Sequence, residues 1–373
     1  MFFACLPLSA GDATHPLIVA SQSCSSPSIC RTTLGHYDLD GNGPEPVSFD
    51  AAPQSFFTDL GLDFDSNLVL LDYTRGRIFS PARVESDRLP TRRELLNSMS
   101  FDASGNLYVG VFNFGRVMLK KFDARRRLVA EYKTRYPTYA IDLAADQCTM
   151  FYTSDPRGKQ TVHRYNVCAK QNMADWGVID AVEVNQIRVL LDGGLMAATS
   201  TDVKRFGADT LLRRSYDIGG SDHWNAVTLS ADQNSVWAST VNGVVQFDYE
   251  TGRVLKEVAI AGDQVVGFAL DGGWHAAQST EGRPTAPTNL HVTLTIDGKL
   301  QLSFDDNSTD EKGFNLEYRI NNGPQIYLGT IGPNQHIVTV SNFKHGRVYT
   351  FRVQAFNDHG VSGYSNEATI YDH

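Results

Sequence analysis

The segment GGSDHWNA, at residues 219–226, is the densest group of side chains in this chain that could bind or convert a ligand. An imidazole, an indole and an amide follow a glycine-led loop, and together they could bind a sugar or a carboxylated molecule. If the protein is an enzyme, His223 is the residue expected to act in turnover. The alternative is structural: Asn225 would hold loop backbone, and Trp224 would pack between neighbouring sheets.

Other chemical motifs are weak or absent. No H-E-x-x-H, G-x-S-x-G or phosphate-binding glycine loop occurs, and the adjacent residues 221–223 cannot converge as a catalytic triad. The segment DLDGNG fits the first half of a calcium loop through Asp38, Asp40 and Asn42. Its twelfth position is Phe49, where a bidentate glutamate is needed. A turn between two strands is therefore preferred, and the three residues are weak candidates for a metal site.

A unit of about 41 residues recurs along the chain. Each copy opens with an apolar strand, a tight turn and a second apolar strand, as in NSMSFDASGNLYVGV and NAVTLSADQNSVWAST. The turns DASGN, ADQN and DGG supply residues that short β connections need. Four strands in a repeat of this length are typical of a β-propeller blade. The equivalent first-strand positions are Phe64, Phe101, Leu143, Leu190, Leu229 and Ala269.

A second series, of aromatic residues in third strands, indicates where the ring closes. The last first-strand copy, at Ala269, has no aromatic strand after it, whereas the aromatic strand of Tyr37 has no first strand before it. We therefore predict six blades over residues 25–280, with two C-terminal strands and the N-terminal aromatic strand sharing the closing blade. The aromatic members are Tyr37, Phe79, Phe122, Tyr165, Phe206 and Phe247.

The blade openings quoted above are similar to those of six-bladed propellers with NHL-type repeats and of gluconolactonase-like calcium proteins. Propellers place ligands where loops enter the innermost strands, around the central channel. Four residues before each first-strand position stand Leu60, Asn97, Tyr139, Gln186, Asn225 and Val265. We expect any ligand to bind at this face, and the candidate ligand-binding residues are Asn97, Tyr139, Gln186, Asp222, His223, Trp224 and Asn225.

The resemblance to gluconolactonase-like enzymes implies a divalent cation held by a carboxylate and amides at the channel. Asn97 and Asn225 match amide positions of that pattern. Tyr139 replaces a further amide, and Leu60 offers no carboxylate, although Asp59 is adjacent. We therefore expect no cofactor, and calcium is the one candidate if the chemistry of that family is shared.

Residues 288–373 carry seven short alternating strands, which are typical of a β-sandwich. The segments SFDDNSTDEKGFNLEYR and HGRVYTFRVQAFNDHGVSGYSNEATI closely resemble a fibronectin type III domain, with Tyr349 at the tyrosine-corner position and Phe304 in place of the usual core tryptophan. The proline-bearing residues 281–287 form a linker. The fold class is therefore all-β: a six-bladed propeller, closed by N- and C-terminal strands, followed by an immunoglobulin-like sandwich.

The cysteines favour an oxidising compartment. Cys148 and Cys168 flank Gly158 symmetrically, so a hairpin there would bring their sulfur atoms within disulfide reach. Cys24 and Cys30 could close a short loop. Residues 1–24 are apolar and then rich in small residues, and we interpret them as a signal remnant or an N-terminal extension.

Bulk properties exclude some partners. A net charge of −9 argues against nucleic-acid binding, and no stretch of about 18 apolar residues could span a membrane. The leading hypothesis is a secreted, periplasmic or cell-surface binding protein with a protein or carbohydrate ligand at the propeller face and the sandwich as spacer or second contact. The alternatives are a propeller hydrolase or lyase acting on a small lactone, ester or carbohydrate, and an accessory subunit of an envelope or membrane complex.

Removing residues 284–373 should leave the propeller folded, because a proline-bearing linker implies few shared contacts. Circular dichroism of the shortened protein should show a cooperative thermal transition. A shortened protein without such a transition would contradict the domain assignment.

Overall fold

Strands are the only regular secondary structure in the described part of the chain. The larger of two compact units comprises residues 1–144 and 150–278, and the smaller comprises residues 279–373 with the turn at 145–149. The computed structural model describes residues 15–26, 29–43, 45–46, 57–62, 68–72, 77–79, 94–112, 119–123, 126–156, 158–220, 223–260, 264–273, 275, 283–321, 323, 326–341, 343, 346–357 and 360–372.

The larger unit contains twenty-four described strands. They are β1 (Leu17–Ser26), β2 (Ile29–Tyr37), β3 (Glu45–Pro46), β4 (Phe57–Leu62), β5 (Leu68–Asp72), β6 (Arg77–Phe79), β7 (Leu95–Phe101), β8 (Leu107–Phe112), β9 (Leu119–Phe122), β10 (Leu128–Tyr132), β11 (Ile141–Leu143), β12 (Thr149–Ser154), β13 (Gln160–Asn166), β14 (Gln171–Asn172), β15 (Gly177–Ile179), β16 (Val184–Val189), β17 (Leu195–Thr199), β18 (Val203–Phe206), β19 (Leu212–Tyr216), β20 (Ala226–Leu229), β21 (Ser235–Thr240), β22 (Gly243–Asp248), β23 (Val254–Ala259) and β24 (Gln264–Leu270).

These described strands form six sheets, as the repeat predicts. Their orders are β24-β1-β2-β3, β4-β5-β6, β7-β8-β9-β10, β11-β12-β13-β14 with β15 also on β13, β16-β17-β18-β19, and β20-β21-β22-β23. The fourth strand expected after β6 falls outside the described residues. Neighbouring strands in each sheet pair antiparallel, so each sheet is a meander of the kind found in propeller blades.

The six inner strands follow one another in a circle. β4 lies beside β7, β7 beside β11, β11 beside β16, β16 beside β20, β20 beside β24, and β24 beside β4. They surround a central space, which we call the channel. The second strands are the most deeply buried; every residue of β5, β12, β17 and β21 is buried. The outer strands β10, β19 and β23 instead expose most of their side chains, as a strand with one solvated face does.

The closing sheet combines both ends of this unit, but in a different proportion from the prediction. Only β24 comes from the C-terminal side, and β1, β2 and β3 come from the N-terminal side. The place beside β24 that was predicted for a second C-terminal strand belongs to β1, which pairs Leu17 with Leu270 and Val19 with Phe268. The propeller therefore begins at Leu17, inside the segment interpreted as a signal remnant or extension.

The aromatic series occupies the third strand of each sheet, as predicted. It ends at Phe247 because the third strand of the closing sheet is β2, from the N-terminal side. Its sixth member, Tyr37, lies on β2 and packs with Val265 and Phe268 of β24 in one core cluster. The five members whose side chains are described are all buried, so the repeat records the packing between sheets: Tyr37, Phe122, Tyr165, Phe206 and Phe247.

Cys148 and Cys168 are both disulfide-bonded, as predicted. They lie directly before β12 and after β13, which are neighbours in one sheet. Gly158, in the turn between these strands, has a φ of 72°, a conformation that glycine adopts without strain. Cys24 and Cys30 stand opposite each other in the β1–β2 register, but their side chains lie outside the description.

The smaller unit is a two-sheet sandwich that matches the predicted strands and adds one short strand. One sheet has the order β25-β26-β29, and the other has β28-β27-β30-β31 with β32 also on β30. Phe304 packs on Phe314 with ring centroids 4.9 Å apart, and Tyr349 is 2% exposed in the core. The strands are β25 (Thr288–Leu294), β26 (Leu300–Asp305), β27 (Gly313–Ile320), β28 (Ile326–Ile331), β29 (Ile337–Val340), β30 (Arg347–Asn357), β31 (Gly360–Val361) and β32 (Ala368–Asp372).

Leu17→Ala should destabilise the whole propeller, because Leu17 is fully buried in the strand that closes the ring. A buried leucine truncated to alanine typically costs about 2–5 kcal/mol. Denaturant unfolding measures the change, and Leu255→Ala is the matched control because Leu255 is 42% exposed on the outer strand β23. Equal, small effects of both substitutions would show that β1 does not contribute to the propeller core.

Candidate functional site

A cavity of about 810 Å³ opens where the inner strands begin, and we call it the mouth cavity. This is the face where the sequence predicts ligand binding. Its volume falls within the range of about 300–1,000 Å³ that is usual for ligand pockets. It is lined by Gln22, Phe57, Thr58, Asn97, Tyr139, Asp155, Gln160, Val182, Glu183, Val184, Asn185, His223, Asn225, Val241, Gln264, Val265 and Val266.

Four of the predicted binding residues line this cavity: Asn97, Tyr139, His223 and Asn225. Gln186 is 5% exposed and lies deeper, in the channel. Asp222 is outside the described residues. The sequence analysis did not single out four residues of the lining: Asp155, Gln160, Glu183 and Asn185. Two of these lie at the starts of strands, Gln160 on β13 and Asn185 on β16.

Trp224 does not line the cavity, and its predicted role in ligand binding is wrong. The side chain is fully buried in a core cluster with residues of β17–β22, and its ring centroid lies 5.6 Å from that of Phe247. The backbone explains this placement. The Trp224 amide donates to the Thr199 carbonyl at 3.1 Å, and the Trp224 carbonyl accepts from Asn185 at 2.7 Å. These bonds direct the indole between two sheets, as the structural alternative proposed.

Three asparagines at the starts of inner strands each tie one blade to the next. Asn97 Nδ2 donates to the Thr138 carbonyl at 3.2 Å, and Asn225 Nδ2 donates to the Val265 carbonyl at 2.8 Å. Asn185 makes the equivalent bond to Trp224. The return of amides before the inner strands therefore reflects a structural need, and their remaining oxygen atoms are left for the cavity.

His223 and Tyr139 occupy polar surroundings at the cavity wall. The Nε2 atom of His223 lies 3.2 Å from Asn185 Nδ2 and 4.0 Å from Glu183 Oε2. The hydroxyl of Tyr139 donates to Asp155 at 2.9 Å. Burial, followed by the bond to Asp155, raises the pKa of Tyr139 to about 12, so the phenol stays protonated at neutral pH.

The channel below the mouth cavity is crossed by a hydrogen bond. Asp59 on β4 accepts from Gln186 Nε2 on β16 at 3.2 Å, and these strands stand three places apart in the ring of six. Asp59 also accepts from the Met99 amide at 2.7 Å, while Gln186 Oε1 accepts from the Val227 amide at 2.7 Å. The pair therefore links four blades through the centre.

A buried charge cluster lies beside this bond, around a second cavity of about 20 Å³. Asp142 accepts from the Val189 amide at 2.8 Å, and Arg188 is 8% exposed. Burial raises the pKa of Asp59 to about 6 and also raises that of Asp142, although the Arg188 charge opposes both shifts. Burial, then Arg188, lowers the pKa of His275 to about 3. Sequence reasoning noted Asp59 but missed Asp142 and Arg188, which come together because their strands β11 and β16 are neighbours in the ring.

Ser154, His163 and Asp175 are connected as in a catalytic triad, with Ser154 Oγ 2.9 Å from His163 Nε2 and His163 Nδ1 2.7 Å from Asp175 Oδ1. Ser154 and His163 are each only 2% exposed, and the imidazole lies between the rings of Tyr136 and Tyr152. None of the three lines the mouth cavity. Because a nucleophile must reach its substrate, we interpret this chain of bonds as a structural tie within the sheet of β12 and β13.

The Asp38 loop is a hydrogen-bonded turn. Asp38 accepts from the amides of Asp40 and Asn42 at 2.8 and 2.7 Å, and the Asn42 side chain is the main cause that lowers the Asp38 pKa. Asp40 forms an ion pair with Lys256. Among the described residues, no group of three or more histidine, cysteine or acidic side chains is arranged to hold a metal. Calcium binding stays a prediction.

Comparisons with known proteins agree with both folds. Residues 285–371 match the model of the fibronectin type III domain, so the smaller unit is such a domain. A chain of a nidogen/laminin complex is 11% identical, with a TM-score of 0.52 over 68% of this chain and 98% of that chain. At this identity the likeness shows the fold alone, and the larger unit is a β-propeller.

Two further solved structures are more distant. A gluconolactonase-like protein is 12% identical, with a TM-score of 0.46 over 67% of this chain and 97% of that chain. An extracellular domain from B. thetaiotaomicron is 14% identical, with a TM-score of 0.41 over 99% of this chain and 59% of that chain. No curated protein sequence matches the chain. Within the described residues, no helix has the length and apolar character to cross a membrane.

Asp59→Asn should change how stability depends on pH. The pKa of Asp59 is about 6 in the folded protein and about 3.9 in an unfolded chain, so the folded protein holds this proton more tightly. Its contribution to stability is present below pH ~4 and is lost as the pH rises through ~6. The free energy of unfolding of wild type, minus that of Asp59→Asn, should therefore fall over this window.

Denaturant unfolding at a series of pH values measures this difference. Asp217→Asn, which alters an exposed carboxylate, is the control and should show no such slope. A flat difference for Asp59→Asn would mean that the buried carboxylate titrates as it does in the unfolded chain.

Proposed function

We propose that this protein is an extracellular or cell-surface binding protein that holds its ligand in the mouth cavity. The observation that carries the proposal is the cavity itself: about 810 Å³, open to solvent, and lined by polar groups on the ends of strands that neighbouring blades hold in place. Rigid strands keep such groups in position at little entropic cost on binding. A ligand of drug-like size, or a side chain of a partner protein, fits this volume.

The surroundings favour binding over catalysis. His223 is the one imidazole in the lining, and its partners there are an amide and a carboxylate 4.0 Å away. Nucleophilic catalysis needs a nucleophile within hydrogen-bond reach of its base, and the described lining offers His223 no serine or cysteine. We therefore assign the cavity to recognition.

The location outside the cell is supported by the disulfide of Cys148 and Cys168, because such bonds persist in oxidising compartments. The fibronectin type III domain supports an interaction role, as a spacer or a second contact. A protein or carbohydrate partner at the propeller face agrees with this assignment.

A substitution that obstructs the cavity tests the proposal. Val182 is 86% exposed and lines the cavity, so Val182→Trp should obstruct it without disturbing the core. Val178→Trp is the matched control, because Val178 is 55% exposed on β15 and does not line the cavity. Saturation-transfer NMR on the full chain would use methyl glucoside, gluconate and agmatine as neutral, anionic and cationic probes.

At least one probe should bind wild type and Val178→Trp, and its signal should be lost in Val182→Trp. Signals that are equal in all three proteins, or absent from wild type, would refute the cavity as a binding site. His223→Ala should reduce affinity and leave the probe chemically unchanged; a turnover that depends on His223 would instead identify an enzyme.

A further inference from the structure

The mouth cavity carries carboxylates without a countercharge. Asp155 and Glu183 both line it, and the described lining contains no lysine or arginine. Asp155 accepts from the Tyr139 hydroxyl, and Glu183 lies 4.0 Å from His223. Neither carboxylate has a lysine or arginine partner among the described residues. A bound anion would therefore meet like charge, whereas a cation would gain charge-assisted hydrogen bonds.

The amides of the lining use their donors within the protein, which leaves their acceptors. Asn97, Asn185 and Asn225 each donate Nδ2 to a backbone carbonyl of the next blade. A carbonyl oxygen can only accept, so these bonds fix the orientation of each amide. The three Oδ1 atoms have no protein partner in the described part of the chain, and each can accept from a ligand.

Gln160 adds an independent sign of a missing donor. This residue lines the cavity and is 8% exposed, and its Nε2 donates to the Val182 carbonyl at 3.0 Å. Its Oε1 is buried and has no hydrogen-bond partner among the described residues. Leaving a buried acceptor unpaired is costly, so this oxygen would be stabilised by any donor brought within its reach.

Two hydroxyl donors in the lining are already used by the protein. The Tyr139 hydroxyl donates to Asp155, and the Thr58 hydroxyl donates to the Leu96 carbonyl at 2.7 Å. Val184, Val241 and Val265 supply an apolar part of the wall. The lining thus combines an excess of acceptors and negative charge with an apolar surface, which suits a charged head on an alkyl stem.

We propose that the ligand of the mouth cavity is an organic cation, an ammonium or guanidinium group on an alkyl chain. The group belongs either to a free amine or to a lysine or arginine side chain of a partner protein. This proposal rests on the proposed function, since it specifies the ligand class of the same cavity. Glu183 and Asp155 bind the charge, and the asparagine oxygens accept the remaining N–H groups.

Isothermal titration of the full chain with agmatine tests the charge requirement. Glu183→Gln should weaken binding by about threefold, as expected for a half-exposed ion pair, and Asp155→Asn combined with Glu183→Gln by about tenfold. Glu257→Gln is the matched control, because this exposed residue lies on the outer strand β23 and should leave affinity unchanged. Raising the ionic strength to about 1 M should weaken binding to wild type, because the screening length falls to about 3 Å.

The alternative probes separate the two proposals. Gluconate or methyl glucoside binding as tightly as agmatine, with the Val182→Trp effect intact, would overturn the cationic ligand and keep the cavity as a binding site. Agmatine affinity that is unchanged in the double variant would also overturn it. If no probe binds in a way that Val182→Trp abolishes, both proposals fail.

Short blocked peptides distinguish the sources of the cation. Acetyl-Gly-Lys-Gly-amide and acetyl-Gly-Arg-Gly-amide carry the same head groups on a polypeptide. Tighter binding of a peptide than of agmatine would assign the cavity to a protein partner, and the reverse order would assign it to a free amine. Either result supports the proposal if it requires Asp155 and Glu183.

Discussion

The pairing of β1 with β24 is the constraint on which the rest of the propeller depends. A sheet that takes strands from both ends of the unit holds the first and last parts of the ring together. The β1–β24 register, from Leu17 opposite Leu270 to Gln22 opposite Gln264, provides that link. It also places Gln22 and Gln264 at the mouth cavity. Closure and the candidate site are therefore consequences of one strand pairing.

Side-chain bonds between inner strands give the closed ring its polar interior. Asn97, Asn185 and Asn225 each donate to the following blade, and Asp59 and Gln186 join opposite sides of the channel. Each asparagine bond pairs a backbone carbonyl of the following blade, whereas the Asp59–Gln186 bond joins two side chains. The same bonds determine what the cavity can offer a ligand, because the donors face the protein and the acceptors remain. Structural need and ligand preference arise from the same amides.

Much of the fold could be predicted from the sequence, because a propeller repeats its packing. The aromatic residue of each third strand recurs at the period of the blade, so Tyr37 and Phe247 together indicated the closure. The number of strands that each end of the unit supplies to the closing sheet could not be predicted from the local sequence. Residues 17–26 and 274–279 both mix apolar and polar residues, and only the non-local pairing with β24 decides between them.

The site was predictable in position but less so in detail. Asn97 and Asn225 lie at the expected face because the repeat locates the start of each inner strand. The role of Trp224 was predicted wrongly because a tryptophan beside such a strand can either contact a ligand or pack in a core. The hydrogen bonds of its backbone, which the sequence does not reveal, place it in the core. Asp142 and Arg188 are 46 residues apart in neighbouring blades, and their proximity depends on the ring.

Amide hydrogen exchange measures the closure most directly. If β1 completes the ring, the paired amides of residues 17–22 should exchange only through global unfolding, with the same opening free energy as β21 in the propeller core. Exchange of β1 at a much lower opening free energy, while β21 stays protected, would contradict a propeller closed by its N-terminal strand.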